Sequence, residues 1–406
     1  MSARIVALLL ALAAGPALAC PFCSSQGQTL SGEVQQADLI VLGILGNARQ
    51  DPADPTRGTT DLVIKTVVKP HPYLAGKTVI TLPKYLPDGA KGGGTEFLVY
   101  GAVFTKPVEV ALAAVVGGAV LADPAATVFD PYRGVPVAGN SQLPLYLQGA
   151  IAVREKDTPT RLRYFFDYLD HPDPEIAADA LMEFGNTEYK DVRELAKTLP
   201  ADKVIKWLKD PNTPPSRYGL LGLFIGHSGT KADAPALRAL LDDPVRSKSS
   251  GQDGLLAAYI LLDPATGWDY LFGLLSDPKQ EFSAHYAGLR TLRFFYEFRP
   301  DVLKPDQILA GMKALVAHKE LADLPMEDLR KWGRWDQTDY VLGFAKVESH
   351  AKVPIIKRAI LKFALAAPKD NAAAKAYVEQ VRKDDPERVK YVEQLLADEP
   401  PPAAKK

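Results

Sequence analysis

The sequence predicts a multi-domain β + α protein: a small N-terminal β-barrel or sandwich followed by an α-solenoid of helix pairs. Three observations carry this. Between residues 38 and 121, short runs of branched residues alternate with loops rich in Pro, Gly and Asp, the texture of closely spaced strands. Past residue 155 the apolar period becomes that of a helix. Within that second half, Asp-Pro pairs recur at 210, 243 and 277, spacings of 33 and 34 that mark a structural repeat.

The first residues read as an export signal. Arg4 supplies a positive charge, Ile5 to Ala14 an apolar run, and Gly15-Pro16 leads to a small-x-small triplet ending at Ala19. That layout describes a cleavable signal over residues 1–19, too short to span a bilayer. Cleavage after Ala19 makes Cys20 the first residue of a periplasmic or extracellular chain. The competing expectation is a lipid anchor on Cys20, although lipoprotein signals usually carry Leu three positions upstream, where Ala17 stands.

Composition excludes little but weights the rest. The chain has 406 residues, 47% hydrophobic and 24% charged, with 48 Lys and Arg against 49 Asp and Glu. A net charge of −1 provides no whole-protein field for nucleic acid or an anionic membrane. Val110 to Ala122 is apolar but broken by Gly117-Gly118, so it reads as strand material and no transmembrane span is expected. The only two cysteines, Cys20 and Cys23, permit one intramolecular disulfide, whose loop is too short to brace a domain.

Taken in order, Gln26 to Ala37 places Leu30, Val34 and Ala37 at i, i+4 and i+7, a short helix. Asp38 to Gly43 and Thr60 to Val68 follow as strands, the second alternating Leu62, Ile64, Thr66 and Val68 against polar neighbours. Lys77 to Leu82, Thr95 to Phe104 and Val108 to Leu121 are further strand candidates. Gly92-Gly93-Gly94 lacks the Lys and Ser/Thr of a phosphate loop and reads as a turn.

The phrases Ala37-Asp38-Leu39-Ile40-Val41, Val63-Ile64-Lys65-Thr66-Val67-Val68-Lys69 and Gly93-Gly94-Thr95-Glu96-Phe97-Leu98-Val99-Tyr100-Gly101 follow Cys20 in an order similar to that of the netrin-like fold of tissue inhibitors of metalloproteinases. The resemblance spans about 100 residues. It implies an oligonucleotide/oligosaccharide-type barrel over residues 20–155. It also implies a role for the amine and carbonyl of Cys20 in binding a protease metal. Those inhibitors start Cys-x-Cys with each cysteine bonded to a distant partner; this chain starts Cys-x-x-Cys and has no distant cysteine.

Phe129 to Asp157 is a mixed stretch, and the helical texture begins after it. Asp173-Pro174-Glu175 supplies an N-cap, a first-turn proline and an acidic first turn, with Ile176, Ala177, Ala180, Leu181 and Phe184 as the apolar stripe. Leu208-Lys209-Asp210-Pro211, Leu241-Asp242-Asp243-Pro244 and Leu275-Ser276-Asp277-Pro278 each follow an amphipathic segment and precede a more apolar one. An antiparallel helix pair per repeat accounts for this, and the pattern resembles HEAT-type repeats over residues 156–398. Residues 399–406 form a Pro-rich, charged tail expected to be disordered.

No Gly-x-Ser-x-Gly, His-Glu-x-x-His or dinucleotide fingerprint is present, so no catalytic residue is assigned and no cofactor or metal is expected. Cys20 and Cys23 are a disulfide or thiol site: a local disulfide that stiffens the N-terminus, or alternatively thiol exchange, metal capture or inhibitor-like metal binding. The histidines are scattered, and His171 and His285 read as structural imidazoles. Arg330, Lys331, Trp332, Arg334, Trp335 and Tyr340 combine indoles with cations and form a candidate binding patch for a sugar or peptide; the plainer reading has Trp332 and Trp335, three apart on a helix, filling space between repeats. Arg293 to Arg299 is ambiguous in the same way and reads rather as core. The expectation is an exported, non-catalytic binding or scaffold protein whose partner is another protein or a cell-surface glycan.

Overall fold

In the computed structural model, residues 20–22, 27–55, 57–86, 94–107, 125–244 and 250–400 are described. Residues 1–19, expected from the sequence to be an export signal, Cys23, Gly92, Gly93, the strand candidate beginning at Val108 and the last six residues of the expected tail lie outside them. The chain forms two compact units, one of Ser25–Asn186 and the other of Thr187–Lys406 together with the residues up to Ser24.

The first unit is built on a five-stranded antiparallel sheet in the order β3-β2-β1-β4-β5, with β1 Leu39–Gln50, β2 Gly58–Lys69, β3 Val79–Leu82, β4 Glu96–Pro107 and β5 Ala125–Val137. Alternation sends one face inward: Leu39, Val41, Leu45, Leu62, Ile80, Leu82, Val99 and Phe129 form a buried cluster, and Leu62 pairs with both Leu45 and Ile80 across the ladder. Gly101 is required by close approach, because a Cβ there would lie 2.3 Å from the Phe129 ring.

Strand β5 takes up the first part of the mixed stretch that begins at Phe129. Pro131, Gly134 and Pro136 break a strand pattern, yet β5 sits at a sheet edge, where the missing proline N–H groups cost no ladder bond on a far side. The rest of that stretch is helix α2, Leu143–Val153.

Helix α1, Leu30–Gln36, joins α2, α3 (Thr158–Phe166) and α4 (Pro174–Gly185) in the same unit. It is short and owes its place to tertiary contacts. The buried Asp179 of α4 accepts from the backbone N–H of Leu30 at 2.5 Å and from the hydroxyls of Ser31 and Tyr146, both at 2.7 Å. Burial pushes the Tyr146 hydroxyl up in pKa, reinforced by the Asp179 charge.

The second unit is helical: α5 Tyr189–Ala196, α6 Ala201–Lys209, α7 Tyr218–Ser228, α8 Ala234–Asp242, α9 Gln252–Leu262, α10 Pro264–Ser276 and α11 Phe282–Phe298. Then follow α12 Pro305–Val316, α13 Asp323–Lys331, α14 Thr338–Gly343, α15 Glu348–Ala351, α16 Pro354–Ala366, α17 Ala372–Asp384 and α18 Pro386–Ala397. Asp210, Asp243 and Asp277 are the C-caps of α6, α8 and α10, each with extended backbone. The following proline forbids the helical conformation at the residue before it, so each Asp-Pro ends one helix and turns the chain into its partner. Helices α7, α9 and α11 pack side by side. Where α7 and α9 meet at Gly219 and Gly254 there is no space for a side chain: a Cβ on Gly254 would lie 2.5 Å from the carbonyl oxygen of Gly219.

Candidate functional site

Helix α13 ends in a Schellman motif. Gly333, at φ +68°, follows the C-cap Trp332; its N–H donates to the Arg330 carbonyl at 3.0 Å and that of Arg334 to the Leu329 carbonyl at 2.9 Å. Glycine is favoured because the left-handed conformation carries a Cβ penalty. The reversal corrects the single-helix reading of Trp332 and Trp335, which fall on either side of a chain turn.

The two indoles therefore have separate partners. Trp332 stacks on Tyr296 of α11, with ring centroids 3.7 Å apart and planes 16° from parallel. Trp335 meets Phe363 of α16 edge-on at 5.2 Å. Beside the stacked pair is a cavity of about 100 Å³ whose lining includes Tyr296, Leu303, Ile308, Trp332 and Arg334. Its walls are aromatic and aliphatic, with one guanidinium. Arg334 is held in place by a bidentate pair with Asp336 (2.9 and 2.8 Å), and its hydrogen bond keeps the Asp336 carboxyl down at about 2.

Of the six patch residues, Trp332 and Arg334 meet at this cavity. Arg330 is committed elsewhere: its side chain is 9% exposed and pairs with Glu327 at 2.8 Å and Glu399 at 2.7 Å, while Lys362 also reaches Glu399. The Tyr340 hydroxyl donates to the Lys313 carbonyl at 2.8 Å, and the Lys313 ammonium lies over its ring. Lys331 is exposed. Tyr296 is the cavity residue that sequence reasoning missed, since its run, Arg293 to Arg299, looks like core. A signal existed in the ring itself, because Tyr at an apolar position needs a place for its hydroxyl.

The N-terminal segment is also placed. Cys20 and Phe22 are each 3% exposed, with Phe22 against Phe294 of α11 at 4.7 Å. Arg290 donates from Nη2 to the Pro21 carbonyl at 3.0 Å and from Nε to the buried Asp253 carboxylate at 2.6 Å. Burial pushes the Asp253 carboxyl up, and Arg290 opposes that.

Three histidines form a regular feature. His285, His318 and His350 direct Nε2 to the carbonyls of Asp277 (3.1 Å), Leu275 (2.8 Å) and Val316 (2.9 Å). Since a carbonyl only accepts, Nε2 carries the proton in each. The rings of His285 and His318 stack at 4.0 Å. Burial, then the neighbouring His318, lowers the pKa of His285. Among the described residues no three His, Cys, Asp or Glu side chains group as a metal site would need, and no helix is long and apolar enough to cross a membrane.

No family model, curated protein or solved structure matches this chain.

Proposed function

We propose that this is an exported, non-catalytic binding protein whose helical unit, a HEAT-like solenoid, presents the Tyr296–Trp332–Arg334 cavity to a protein or glycan partner. The observation that carries the reading is the 3.7 Å stack of Tyr296 on Trp332 beside an arginine. Stacked aromatic faces next to a cation suit the apolar face of a pyranose or a proline ring, with the guanidinium taking a neighbouring oxygen. The antiparallel sheet is consistent with the netrin-like barrel.

Burial of Cys20 weighs against an acyl chain on that sulfur, which would have to leave its buried place to carry one. It weighs equally against thiol exchange or metalloprotease inhibition through Cys20, both of which need an accessible group. Among the described residues no cysteine is free, which favours the local Cys20–Cys23 disulfide.

The test is a tryptophan-fluorescence titration with methyl glycosides and short proline-containing peptides, on the native chain and on Trp332→Ala and Arg334→Gln. A saturable quench lost in Trp332→Ala and weakened in Arg334→Gln is expected. Quenching that persists in Trp332→Ala, or no response to either ligand class, refutes the cavity as the recognition point.

A further inference from the structure

The C-terminal turn of α11 contributes to a second cluster, separate in composition from the aromatic cavity. On α5, Tyr189, Arg193 and the C-cap Lys197 stand at i, i+4 and i+8, so they share one stripe of the helix. Tyr189 is buried, its ring held edge-on by Phe294 (5.3 Å) and Phe298 (5.0 Å). Its hydroxyl lies 3.0 Å from Nε2 of His227 on α7. Arg299, just past α11, also hydrogen-bonds that hydroxyl.

The charges here do not balance. Asp301 is engaged by Arg299 in a bidentate pair, both distances 2.8 Å, and Glu194 is engaged by Lys197 at 2.6 Å. The Nε of Arg193 is buried without a hydrogen-bond partner. A buried guanidinium N–H is ordinarily paired. Arg193, Arg299 and Lys197 all bear on His227, which burial first and then these cations hold down to about 3. The imidazole is thus kept neutral, its Nε2 free to accept from the tyrosine, amid an excess of positive charge. Arg193, His227 and Arg299 are half-buried rather than sealed.

We infer that Arg193, Arg299 and Lys197, arranged around the Tyr189–His227 pair, bind an oxyanion of the phosphate or sulfate type. Arg193 supplies the N–H that lacks an acceptor; Arg299, whose Nε and Nη2 are held by Asp301, adds positive charge beside it, and Lys197 at the exposed rim supplies attraction over distance. The site does not depend on the Tyr296–Trp332 cavity, so the failure of either leaves the other standing.

The experiment is thermal unfolding of the full chain in 10 mM inorganic phosphate against chloride of equal ionic strength. It is run beside an NMR titration of the His227 ring and repeated with glucose 6-phosphate to separate a free ion from an anionic group on a larger molecule. Phosphate is expected to raise the melting temperature by a few degrees and move the His227 resonances saturably. Arg193→Gln abolishes both responses, and Arg193→Lys retains them at about tenfold weaker affinity. If Arg193→Gln fails to fold, the exposed Lys197→Gln serves instead, with several-fold weaker binding and a shallower salt dependence expected. A tighter response to glucose 6-phosphate than to phosphate also supports the site and marks the oxyanion as part of a larger ligand. Equal behaviour in phosphate and chloride, or a response unchanged in Arg193→Gln, overturns the assignment.

Discussion

The phenol of Tyr296 and the indole of Trp332 lie nearly parallel with their centroids 3.7 Å apart, one from the last turn of α11 and the other from the C-cap of α13. Stacking of this kind contributes about 0.5–1.5 kcal/mol beyond the area it buries. Trp332→Leu, which keeps an apolar side chain, is expected to cost about 1–2 kcal/mol in urea unfolding, and Trp332→Ala more. If Trp332→Leu is neutral in stability, the pair does not join the two helices.

A methyl group on Gly219 would sit 2.2 Å from the carbonyl oxygen of Phe22. Gly219→Ala should therefore displace the Cys20–Phe22 segment and cost about 2–4 kcal/mol, near the cost of Phe22→Ala. The double variant should be much less than additive, since both remove the same docking. Strict additivity in a double-mutant cycle would contradict the contact.

Asp179 receives the Leu30 N–H and the hydroxyls of Ser31 and Tyr146. Asp179→Ala leaves three buried donors without an acceptor, and a loss of about 2–4 kcal/mol is expected. Hydrogen exchange should show α1 opening before the sheet. Exchange protection of α1 equal to that of β1 would argue against this anchoring role.

Glu399 joins Arg330, Glu327 and Lys362 in one charged network. Truncation before Glu399 is expected to lower stability by about 1 kcal/mol, because Arg330 is largely shielded from water and loses a partner. Glu399→Gln should reproduce most of the effect. If truncation is silent while Glu399→Gln is not, the glutamine creates its own strain and the network is not the cause.

His227 gives a pH signature with a definite sign. Its folded pKa is held near 3, below the ordinary value of about 6.5, so between these values the unfolded chain takes up a proton that the folded chain refuses. The contribution is fully present above pH about 6.5 and is lost as pH falls toward 3, at no more than about 1.4 kcal/mol per pH unit. Comparing wild type and His227→Gln across that window should show a shallower slope in the variant. Parallel curves would show that His227 titrates normally.

What was readable in the sequence depended on how local the determinant was. Asp210, Asp243 and Asp277 announced helix ends because Asp-Pro imposes its geometry on the residue before the proline, wherever it occurs. The strands around Leu62 and Leu98 were readable from alternation, whereas β5 was hidden by Pro131 and Pro136, which only an edge position tolerates. Trp332 and Trp335 looked like a helical pair until the φ of Gly333 separated them, though a glycine after an apolar helix is itself a stop signal. The burial of Cys20 was not legible: Gly219 and Phe294, which enclose that segment, are distant in sequence and neither resembles a receptor. The histidines at 285, 318 and 350 continued the repeat period at 33 and 32; His285 read as a structural imidazole, but the scatter of all six hid the series.

The bond from Arg290 to the Pro21 carbonyl spans 269 positions, and this orders events in time. A chain delivered from its N-terminus presents Cys20–Phe22 first, yet the residues that receive it, Gly219, Arg290 and Phe294, emerge only after the whole sheet unit has passed. Nascent chains stalled before residue 290 would carry that leading segment unseated and open to proteases, and the segment would become protected only once α11 has been delivered.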